Sequence, residues 1–413
     1  MSTQSNLPTG PIIPFLPDFT PTDTSVPLSP VPSIQSAWDA YVAHVRTYFY
    51  KPDIEAASIT LAAAASHFHK NADPCWLFIL GPSGGDKTSV CINSLLDLPE
   101  VHLKGELTAK TFLSGYTGTA HASLLHKIGS GILAFKDFTT FASKRPEEQA
   151  EISSQLREIY DGVFVKDTGK GILIKWEGKL TVIAAGTPNL EYAWATRRDL
   201  GERFLQVRIS RKDGIKQAEY AQRQRGKEEF ISRTMRDLAK AFFQATPSIT
   251  NPPQPLSDIQ MNRVAALSEL VSHCRGVIPR DKLTGVINGE PVVENTGRMS
   301  KVLAGLISNH SALFRKPAID ERDISIGKRV ALNTIPALRY LILRTVPINA
   351  SINMDRIQAK LNLPESTVKL HVSDLEQLGI LRIQRCEMVS NEISLSPLAC
   401  SLWGQAFPAP LAS

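Results

Sequence analysis

Residues 81–88 have the types and spacing of a loop that binds phosphate. An apolar segment, residues 75–80, leads into this loop, and a helix is predicted to follow it. Glycines let backbone N–H groups approach phosphate oxygens, and the start of a helix adds positive potential. A lysine then neutralises the terminal phosphates of ATP, and a threonine hydroxyl holds Mg²⁺. An ordinary strand-to-helix turn has the same local form. The predicted nucleotide-binding residues are Gly81, Ser83, Gly84, Gly85, Asp86, Lys87 and Thr88, with Thr88 on the metal.

Asp86 departs from this pattern, because a glycine usually precedes the lysine. A carboxylate at this position is expected either to repel phosphate or to pair with Lys87. The departure bears on ATP hydrolysis more than on ATP binding.

A second apolar segment, residues 131–135, ends in Lys136 and Asp137. A carboxylate at a strand tip holds Mg²⁺ and its water in phosphoryl-transfer sites. Such sites usually carry an Asp-Glu pair. Asp137 therefore stands either for the metal-binding Asp, with no Glu beside it, or for the Glu, with Lys136 in place of the Asp. Glu158 and Asp161 are candidate supplements, and capping a helix is the alternative role for Asp137.

Polar side chains follow two later strands. Residues 180–185 predict a buried strand, and Thr187, or else Asn189, is the candidate at its tip to sense the γ-phosphate. Arg203 precedes a strand-like segment and is a candidate arginine finger for the nucleotide of a neighbouring subunit. A surface salt bridge with Glu202 is its alternative role. Arg298, on a predicted amphipathic helix, is a candidate second sensor.

Two regions carry candidate contacts to DNA. Residues 162–176 have apolar arms around an Asp-Thr-Gly-Lys-Gly tip, which predicts a β-hairpin. Residues 354–361 and 365–378 predict two short helices, and two short strands follow, in a pattern that resembles a winged helix-turn-helix. A protein-binding winged helix is the alternative to a DNA-binding one. The candidate DNA-binding residues are Lys166, Lys170 and Lys175 on the hairpin, Ser366, Thr367, Lys369 and His371 on the second helix, and Arg382 and Arg385 on the wing.

These residues must be positioned by an α/β core, because apolar strands alternate with helical stretches between residues 73 and 209. The predicted order is a flexible Pro-rich tail at 1–32, N-terminal helices at 33–72, the α/β nucleotide-binding core at 73–214, an all-helical lid at 215–333, the winged helix at 334–396 and a tail at 397–413. We expect a parallel sheet with the candidate site at one edge.

Composition sets looser bounds. The 413 residues carry a formal charge of +6 and 43% hydrophobic residues, which is ordinary for a globular protein and compatible with a nucleic-acid partner. The five cysteines form no CxxC pair, so neither zinc nor a disulfide framework is expected. The sequence shows no signal peptide and no apolar run of the ~20 residues that a membrane helix needs. A cytoplasmic protein is expected.

The order of these motifs resembles that of AAA+ ATPases of the pre-sensor-1 hairpin group, to which the minichromosome maintenance helicases belong. Lys136 stands where their Walker B Asp would be. Residues 136–139, 156–162 and 200–204 also resemble bacterial and phage ATP-binding proteins with a Lys-Asp-Phe-Thr signature. This resemblance covers residues 38–335 and implies a three-layer AAA+ P-loop core, ATP and Mg²⁺ as cofactors, and assembly into a homo-oligomeric ring, as a hexamer.

Two functions are compatible with these observations. The first is an ATP-driven ring that acts on DNA as a helicase-like motor or loader, in phage or mobile-element replication. The second is a nucleotide-gated DNA-binding regulator with little or no ATP turnover. Asp86 and the missing Asp-Glu pair favour the regulator, whereas the set of arginine positions favours the motor.

Overall fold

The computed structural model describes residues 33–69, 72–108, 111–112, 123–167, 173–195, 203–245, 254–281, 283–385 and 390–408. The predicted tail at 1–32, the hairpin tip with Lys170, and Glu202 lie outside the described residues. The strands are β1 Trp76–Leu80, β2 Val101–Lys104, β3 Gly131–Phe135, β4 Val163–Asp167, β5 Leu173–Glu177, β6 Leu180–Gly186, β7 Phe204–Arg208, β8 Ile352–Asn353, β9 Leu381–Gln384 and β10 Glu392–Leu395.

The helices are α1 Ile34–Tyr48, α2 Ile54–Ala65, α3 Leu124–Ile128, α4 Pro146–Tyr160, α5 Pro188–Ala195, α6 Gly214–Arg223, α7 Glu228–Gln244, α8 Asp258–Arg275, α9 Thr296–Leu313, α10 Glu321–Thr334, α11 Ala337–Thr345, α12 Met354–Leu361, α13 Glu365–Gln377 and α14 Pro397–Ala406. Among the described residues, none of these helices is both long and apolar enough to cross a membrane.

A five-stranded parallel sheet, in the order β2-β3-β6-β1-β7, forms the centre of the structure and confirms the expected α/β core. Every residue of β1, β3 and β6 is buried. Continuous apolar strands of this kind are typical of parallel sheets that are covered on both faces. The phosphate loop, the acidic turn and Thr187 all follow carboxyl ends of these strands, so the sheet brings them to one edge.

Helices cover the sheet through small or apolar side chains. α2 is rich in alanine, and ten of its twelve residues are buried against β1, β6 and α9. α10 packs against β7 at the edge of the sheet. The aromatic rings of Phe78 and Phe204 stack in parallel between β1 and β7, with 3.8 Å between their centroids. The side of the core next to β7 is therefore closed by α10.

The β4–β5 hairpin leaves the main sheet as predicted and is anchored at its base. Phe164 pairs with Trp176 across the strands, and both side chains are buried. The Trp176 indole Nε1 donates to the carbonyl of Gly129 at 2.7 Å. Gly162 has φ +85°, a conformation that favours glycine, where the chain turns from α4 into β4.

The C-terminal module, residues 337–408, contains the two predicted short helices, α12 and α13. Between them, Asn362 adopts the left-handed conformation that often ends a helix. Where two strands were expected, the sheet has three, in the order β8-β10-β9. Where only a tail was expected, α14 packs against α8. Ser396 caps α14 by accepting from the Ala399 N–H, and Pro397 occupies its first turn.

Buried ion pairs attach the C-terminal module to the rest of the chain. Asp374 on α13 accepts from Arg280 at 2.7 Å and from Arg339 at 3.0 Å. Arg339 also donates to the carbonyls of Cys274 and Gly276 at the end of α8. The inner face of α13, the second helix of the predicted helix-turn-helix, is therefore fixed against α11 and the segment that follows α8.

The pair of His310 on α9 and Asp323 on α10 makes helix packing dependent on pH. Burial alone would raise the pKa of Asp323, but hydrogen bonds from His310, the Asp320 backbone N–H and Lys316 lower that pKa to about 2. A carboxyl whose pKa is lowered in the folded state stabilises the protein above its unfolded pKa, and this contribution is lost as pH falls toward 2.

We therefore expect the free energy of unfolding to fall by about 2 kcal/mol between about pH 4 and pH 2 on account of Asp323. Urea denaturation at several pH values measures this change. Asp323→Asn should be less stable at neutral pH and should lose this part of the pH dependence. An unchanged dependence in the variant would contradict the role given to Asp323.

Candidate nucleotide-binding site

The phosphate loop leaves β1 between two strands that approach it closely. The Gly81 N–H donates to the carbonyl of Gly186 at 3.1 Å, and the Ile209 N–H donates to the carbonyl of Leu80 at 2.8 Å. A Cβ at Gly81 would stand 3.1 Å from the carbonyl oxygen of Ile209. Gly84 has φ +73°, which favours glycine. The loop therefore uses its glycines for a sharp turn next to β6 and β7.

The Lys87 side chain bridges this loop from its inner side. Its Nζ donates to the carbonyl of Pro82 at 2.9 Å, and 6% of the residue is exposed. Burial lowers the pKa of Lys87, and the negative charge of Asp137 partly offsets that effect. The ammonium group is thus held inside the loop, where a phosphate oxygen could replace the Pro82 carbonyl as its acceptor.

The segment after the loop differs from the ordinary helix that the sequence predicted. Residues Lys87–Ile92 are π-helical, and a 3₁₀ turn, Asn93–Leu95, follows. Asn93 and Ser232 on α7 exchange hydrogen bonds, at 3.2 Å and 2.9 Å. These contacts fix the segment against α7, and π-helical turns are frequent at functional sites.

Asp86 neither pairs with Lys87 nor faces the loop as an unpaired charge. Its carboxylate forms an ion pair with Lys212, in the segment between β7 and α6. Asp86 is 5% exposed. Burial raises the pKa of Asp86, and the contact with Lys212 partly offsets this. The expected pairing with Lys87 is therefore wrong, because a lysine from a distant part of the chain compensates the carboxylate, and repulsion of phosphate by Asp86 stays a prediction.

A second contact joins the loop to α6. Gln217 donates from Nε2 to the carbonyl of Gly84 at 2.8 Å. Together with the pair of Asp86 and Lys212, it attaches the start of α6 to the phosphate loop. Movement of the loop and movement of α6 are consequently linked.

The turn after β3 brings Asp137 to the same place. Thr88 donates from Oγ1 to the carbonyl of Lys136 at 3.0 Å, so the proposed Mg²⁺ residues Thr88 and Asp137 lie on adjacent segments. Asp137 is exposed, and its Oδ1 accepts from the Thr139 N–H at 2.8 Å. A hydroxyl and a carboxylate oxygen are ligands that suit Mg²⁺.

Thr187 joins the acidic turn through Thr139, a residue that sequence reasoning missed. The Thr187 N–H donates to Thr139 Oγ1 at 2.9 Å, and the two hydroxyl oxygens lie 3.3 Å apart. Asn189, the second choice for the sensor, is exposed on α5. The Asp137 side chain accepts from the backbone N–H of Thr139, two residues later, and this spacing is common when a side chain caps the backbone near it.

Arg203 lies at the opposite end of the sheet. The strand register pairs Trp76, at the start of β1, with Phe204, so Arg203 precedes the amino end of the sheet. The length of β1 separates it from its own phosphate loop by roughly 16 Å. Its Nη2 lies 3.3 Å from an oxygen of Asp161, and its guanidinium carbon lies 5.3 Å from the centroid of the Tyr160 ring.

Arg298 is placed beside Arg203 and not at the phosphate loop of its own chain. Burial, followed by the positive charge of Arg298, lowers the pKa of Arg203. Arg298 itself pairs with Glu294 at 3.1 Å. Asp161, a candidate supplement to Asp137, is engaged at this end by Arg203, and Glu158 is exposed on α4. The structure thus separates the two arginines and Asp161 from Lys87, Thr88, Asp137 and Thr187.

Two adjoining cavities lie beside the phosphate loop. One, of about 460 Å³, is bounded by Ser83 and Gly84 and by the aromatic side chains of Tyr48, Tyr50 and Tyr220. The other, of about 450 Å³, is bounded by residues that include Thr88, Lys136 and Ser232. Phe49, Ser89 and Gln224 line both. The space next to the loop is therefore bounded by tyrosine rings on the α1 and α6 side and by Thr88 and Lys136 on the other side.

The hairpin lysines do not share one surface. Side chains alternate along a strand, and Lys175 lies opposite Val165, the neighbour of Lys166. Lys175 is exposed on the face that carries Val163, Val165 and Leu173 and pairs with Glu177. Lys166 is half-buried on the other face.

Fewer of the candidate DNA-binding residues in the C-terminal module are exposed than the sequence predicted. Ser366 and Lys369 are exposed on α13, and Arg382 and Arg385 are exposed on β9 and just after it. Thr367 is half-buried. Lys369 pairs with Glu365, and Arg385 pairs with Glu376.

His371 points inward, with Nδ1 3.7 Å from an oxygen of the buried Asp374. His371 is half-buried on the side of α13 that carries Asp374, and its contact with DNA stays a prediction.

Comparisons with known proteins show no family for this chain. No protein-family model matches the sequence, and no curated protein is significantly similar to it. Among solved structures, the A form of the apo C-terminal region of NrS-1 is similar at a TM-score of 0.31 and 9% sequence identity, over 92% of this chain and 79% of that chain. Similarity at this level carries no argument, so the assignment of a function depends on the site itself.

The pair of Asp86 and Lys212 generates a stability prediction. Lys212→Met leaves a buried carboxylate without its partner and should lower the free energy of unfolding by about 3–5 kcal/mol. Adding Asp86→Asn removes the charge and should restore most of the loss. Urea denaturation of the single and double variants measures both effects.

Lys216→Met is the matched control, because Lys216 lies in the next turn and pairs with Glu219 at the exposed surface. Equal losses in Lys212→Met and Lys216→Met, or a double variant no more stable than Lys212→Met, would contradict the buried pair.

Proposed function

We propose that this chain binds Mg-ATP at residues 81–88 and acts as an ATPase of the AAA+ type on DNA. The observation that carries the proposal is the meeting of Lys87, Thr88 and Asp137 at the carboxyl edge of a parallel sheet. Open α/β sheets bind their ligands in the crevice outside this edge. The strand β6 lies between β1 and β3, so the loop, the acidic turn and Thr187 share one side of the proposed nucleotide.

Each residue has a separate task in this proposal. The backbone N–H of Gly84 and the Lys87 ammonium contact the phosphates, while the Gly85 N–H closes the loop by donating to the Pro82 carbonyl. Thr88 and Asp137 hold Mg²⁺, directly or through water. Thr187 contacts the γ-phosphate, and Thr139 orients it. The aromatic cavity beside α1 and α6 takes the base, because tyrosine rings offer flat apolar surfaces.

The position of Arg203 supports assembly into a ring. An arginine at the amino end of the sheet, roughly 16 Å from its own loop, requires a neighbouring subunit to reach a γ-phosphate. Arg298 accompanies Arg203, and so both arginines would act across the same subunit boundary. Arginine fingers that act in this way contribute on the order of 10³–10⁵ in rate. We take the ring to be a hexamer, as the resemblance implies.

DNA is the proposed substrate of the ring. The hairpin carries the exposed Lys175, and the sequence predicts Lys170 at its tip, outside the described residues. The C-terminal module, proposed as a winged helix, presents Lys369, Arg382 and Arg385. Phosphate contacts dominate the affinity of such surfaces, so binding should depend strongly on salt.

The alternative function is a nucleotide-gated regulator with little turnover. One observation favours it: Asp161, which could have supplemented Asp137, is engaged by Arg203 at the other end of the sheet. DNA-stimulated ATP hydrolysis discriminates the two functions. A motor turns over ATP faster with DNA, whereas a regulator binds ATP and DNA without such turnover.

Lys87→Ala should weaken ATP binding on the order of ten- to a hundredfold, because it removes a buried charge-assisted contact worth ~1.5–3 kcal/mol. Equilibrium binding of a fluorescent ATP analogue measures the loss. Lys127→Ala, at an exposed position, is the control. Undiminished affinity in folded Lys87→Ala protein would refute the assignment of the phosphate loop.

Mixing Arg203→Ala protein with Lys87→Ala protein should recover part of the ATP hydrolysis that each variant has lost. Mixed rings contain some composite sites with an intact loop and an intact arginine. Steady-state hydrolysis against mixing ratio is the measurement, with circular dichroism as a check on the fold of Arg203→Ala. If no mixture exceeds the separate variants, Arg203 does not act on a neighbouring subunit.

A further inference from the structure

A third cavity lies at the junction of the α/β core and the C-terminal module, with Lys212 in its lining. Its volume is about 750 Å³. The turn between α1 and α2, the end of β7, α10 and α11 form its walls. We call it the cationic groove, because its lining includes Lys51, Arg208, Arg211, Lys212, Arg329 and Arg344, against only two acidic residues, Asp53 and Glu55.

Three of these six cations form ion pairs within the protein. Arg329 pairs with Asp53 and Glu55, the two acids of the groove. Arg208 pairs with Glu191 at 2.9 Å and also donates to the carbonyl of Ile335. Lys212 pairs with Asp86 of the phosphate loop. These interactions hold the walls together.

The other three cations, Lys51, Arg211 and Arg344, are exposed and make no ion pair with the described part of the chain. The Arg344 guanidinium carbon lies 5.8 Å from the centroid of the Tyr340 ring, and Lys51 Nζ lies 5.5 Å from that of Tyr50. The groove therefore offers uncompensated positive charge beside the half-buried ring of Tyr340, which is part of its lining.

This combination fits a strand of nucleic acid. Proteins that bind single strands combine a positive groove for the phosphates with aromatic side chains on which bases stack. Arginine suits phosphate because its planar fork matches two phosphate oxygens. The volume is that of a pocket which encloses a small ligand, so the groove holds a few nucleotides of one strand and cannot enclose a duplex.

The charge of residues 354–396, which follow α11 in the C-terminal module, supports the same conclusion. Residues 354–396 contain six acidic and five basic side chains, so this part of the chain supplies no excess positive charge. Electrostatic attraction to phosphates supplies essentially all of the sequence-independent affinity for nucleic acid. The groove beside α11 supplies the positive charge that residues 354–396 lack.

We infer that the cationic groove is a binding site for single-stranded nucleic acid, with Arg211 and Arg344 on the phosphates and Tyr340 against a base. The inference rests on the proposed function only in taking a nucleic acid as partner. Lys212 lines the groove and also pairs with Asp86 of the phosphate loop. A strand bound in the groove therefore lies next to a residue that contacts the loop.

The test is a double variant, Arg211→Ala with Arg344→Ala, in the full-length chain without nucleotide. Affinity for a fluorescent oligothymidylate, followed by anisotropy, should fall about tenfold or more. The slope of log affinity against log salt should flatten by about 1.4, since each lost phosphate contact on a single strand removes about 0.7. Replacing both arginines by lysine should restore most of the slope.

The matched control is Arg233→Ala with Lys301→Ala, which removes two exposed positive charges outside the groove. If the two double variants bind equally well, the groove is not the site. If polyglutamate competes with oligothymidylate as strongly as unlabelled oligothymidylate does, the groove recognises any polyanion and the inference is overturned. Equal competition by a duplex overturns the preference for one strand.

Binding of the fluorescent ATP analogue separates this test from that of the proposed function. The groove variant should bind the analogue like the wild type, because Arg211 and Arg344 do not touch the phosphate loop. A chain that binds oligothymidylate through the groove but no ATP would support the groove and refute the nucleotide site.

Discussion

The ion pair between Asp86 and Lys212 is the interaction on which the candidate site depends. A carboxylate beside the phosphate-binding lysine would oppose an anionic ligand, and burial makes an uncompensated charge costly. Lys212 satisfies that carboxylate, and Lys87 is left to bridge its own loop through the Pro82 carbonyl. The same pair attaches the loop to the segment between β7 and α6 and links it to the cationic groove. Loop geometry, helix position and groove charge therefore share one contact.

The parallel sheet separates two kinds of chemistry. Its carboxyl edge gathers Lys87, Thr88 and Asp137, which suit a phosphate chain with its metal ion. Its amino edge holds Arg203 and Arg298 around Tyr160 and Asp161. No movement within one sheet brings the two edges together, so the account needs contact between copies of the chain for Arg203 to assist the nucleotide. In the proposed function, ATP binding at the carboxyl edge does not need Arg203, whereas turnover assisted by Arg203 needs a neighbouring copy of the chain.

The elements that could be predicted from the sequence are those set by continuous local patterns of residues. The apolar runs of β1, β3 and β6 predicted the ends of these strands to within one residue, because buried parallel strands are apolar throughout. The partner of Asp86 was not predictable, since Lys212 lies 126 residues further along and any nearby cation would satisfy the same rule. The position of Arg298 was not predictable either, because helical periodicity shows which face of a helix is apolar and not which end of the sheet that face meets. The signals for α14, Ser396 and Pro397, were present but the short segment resembled a tail.

Hydrogen–deuterium exchange with and without saturating Mg²⁺ and a non-hydrolysable ATP analogue tests the central claim most directly. Ligand that binds at the carboxyl edge slows exchange of the amides it contacts and of the segments it orders. The account predicts slower exchange in peptides that cover residues 81–95, 135–141 and 185–190, and in α6 through its contact with Gly84. Bound analogue that leaves residues 81–95 and 135–141 unchanged would contradict the account, because the nucleotide would then lie elsewhere on the chain.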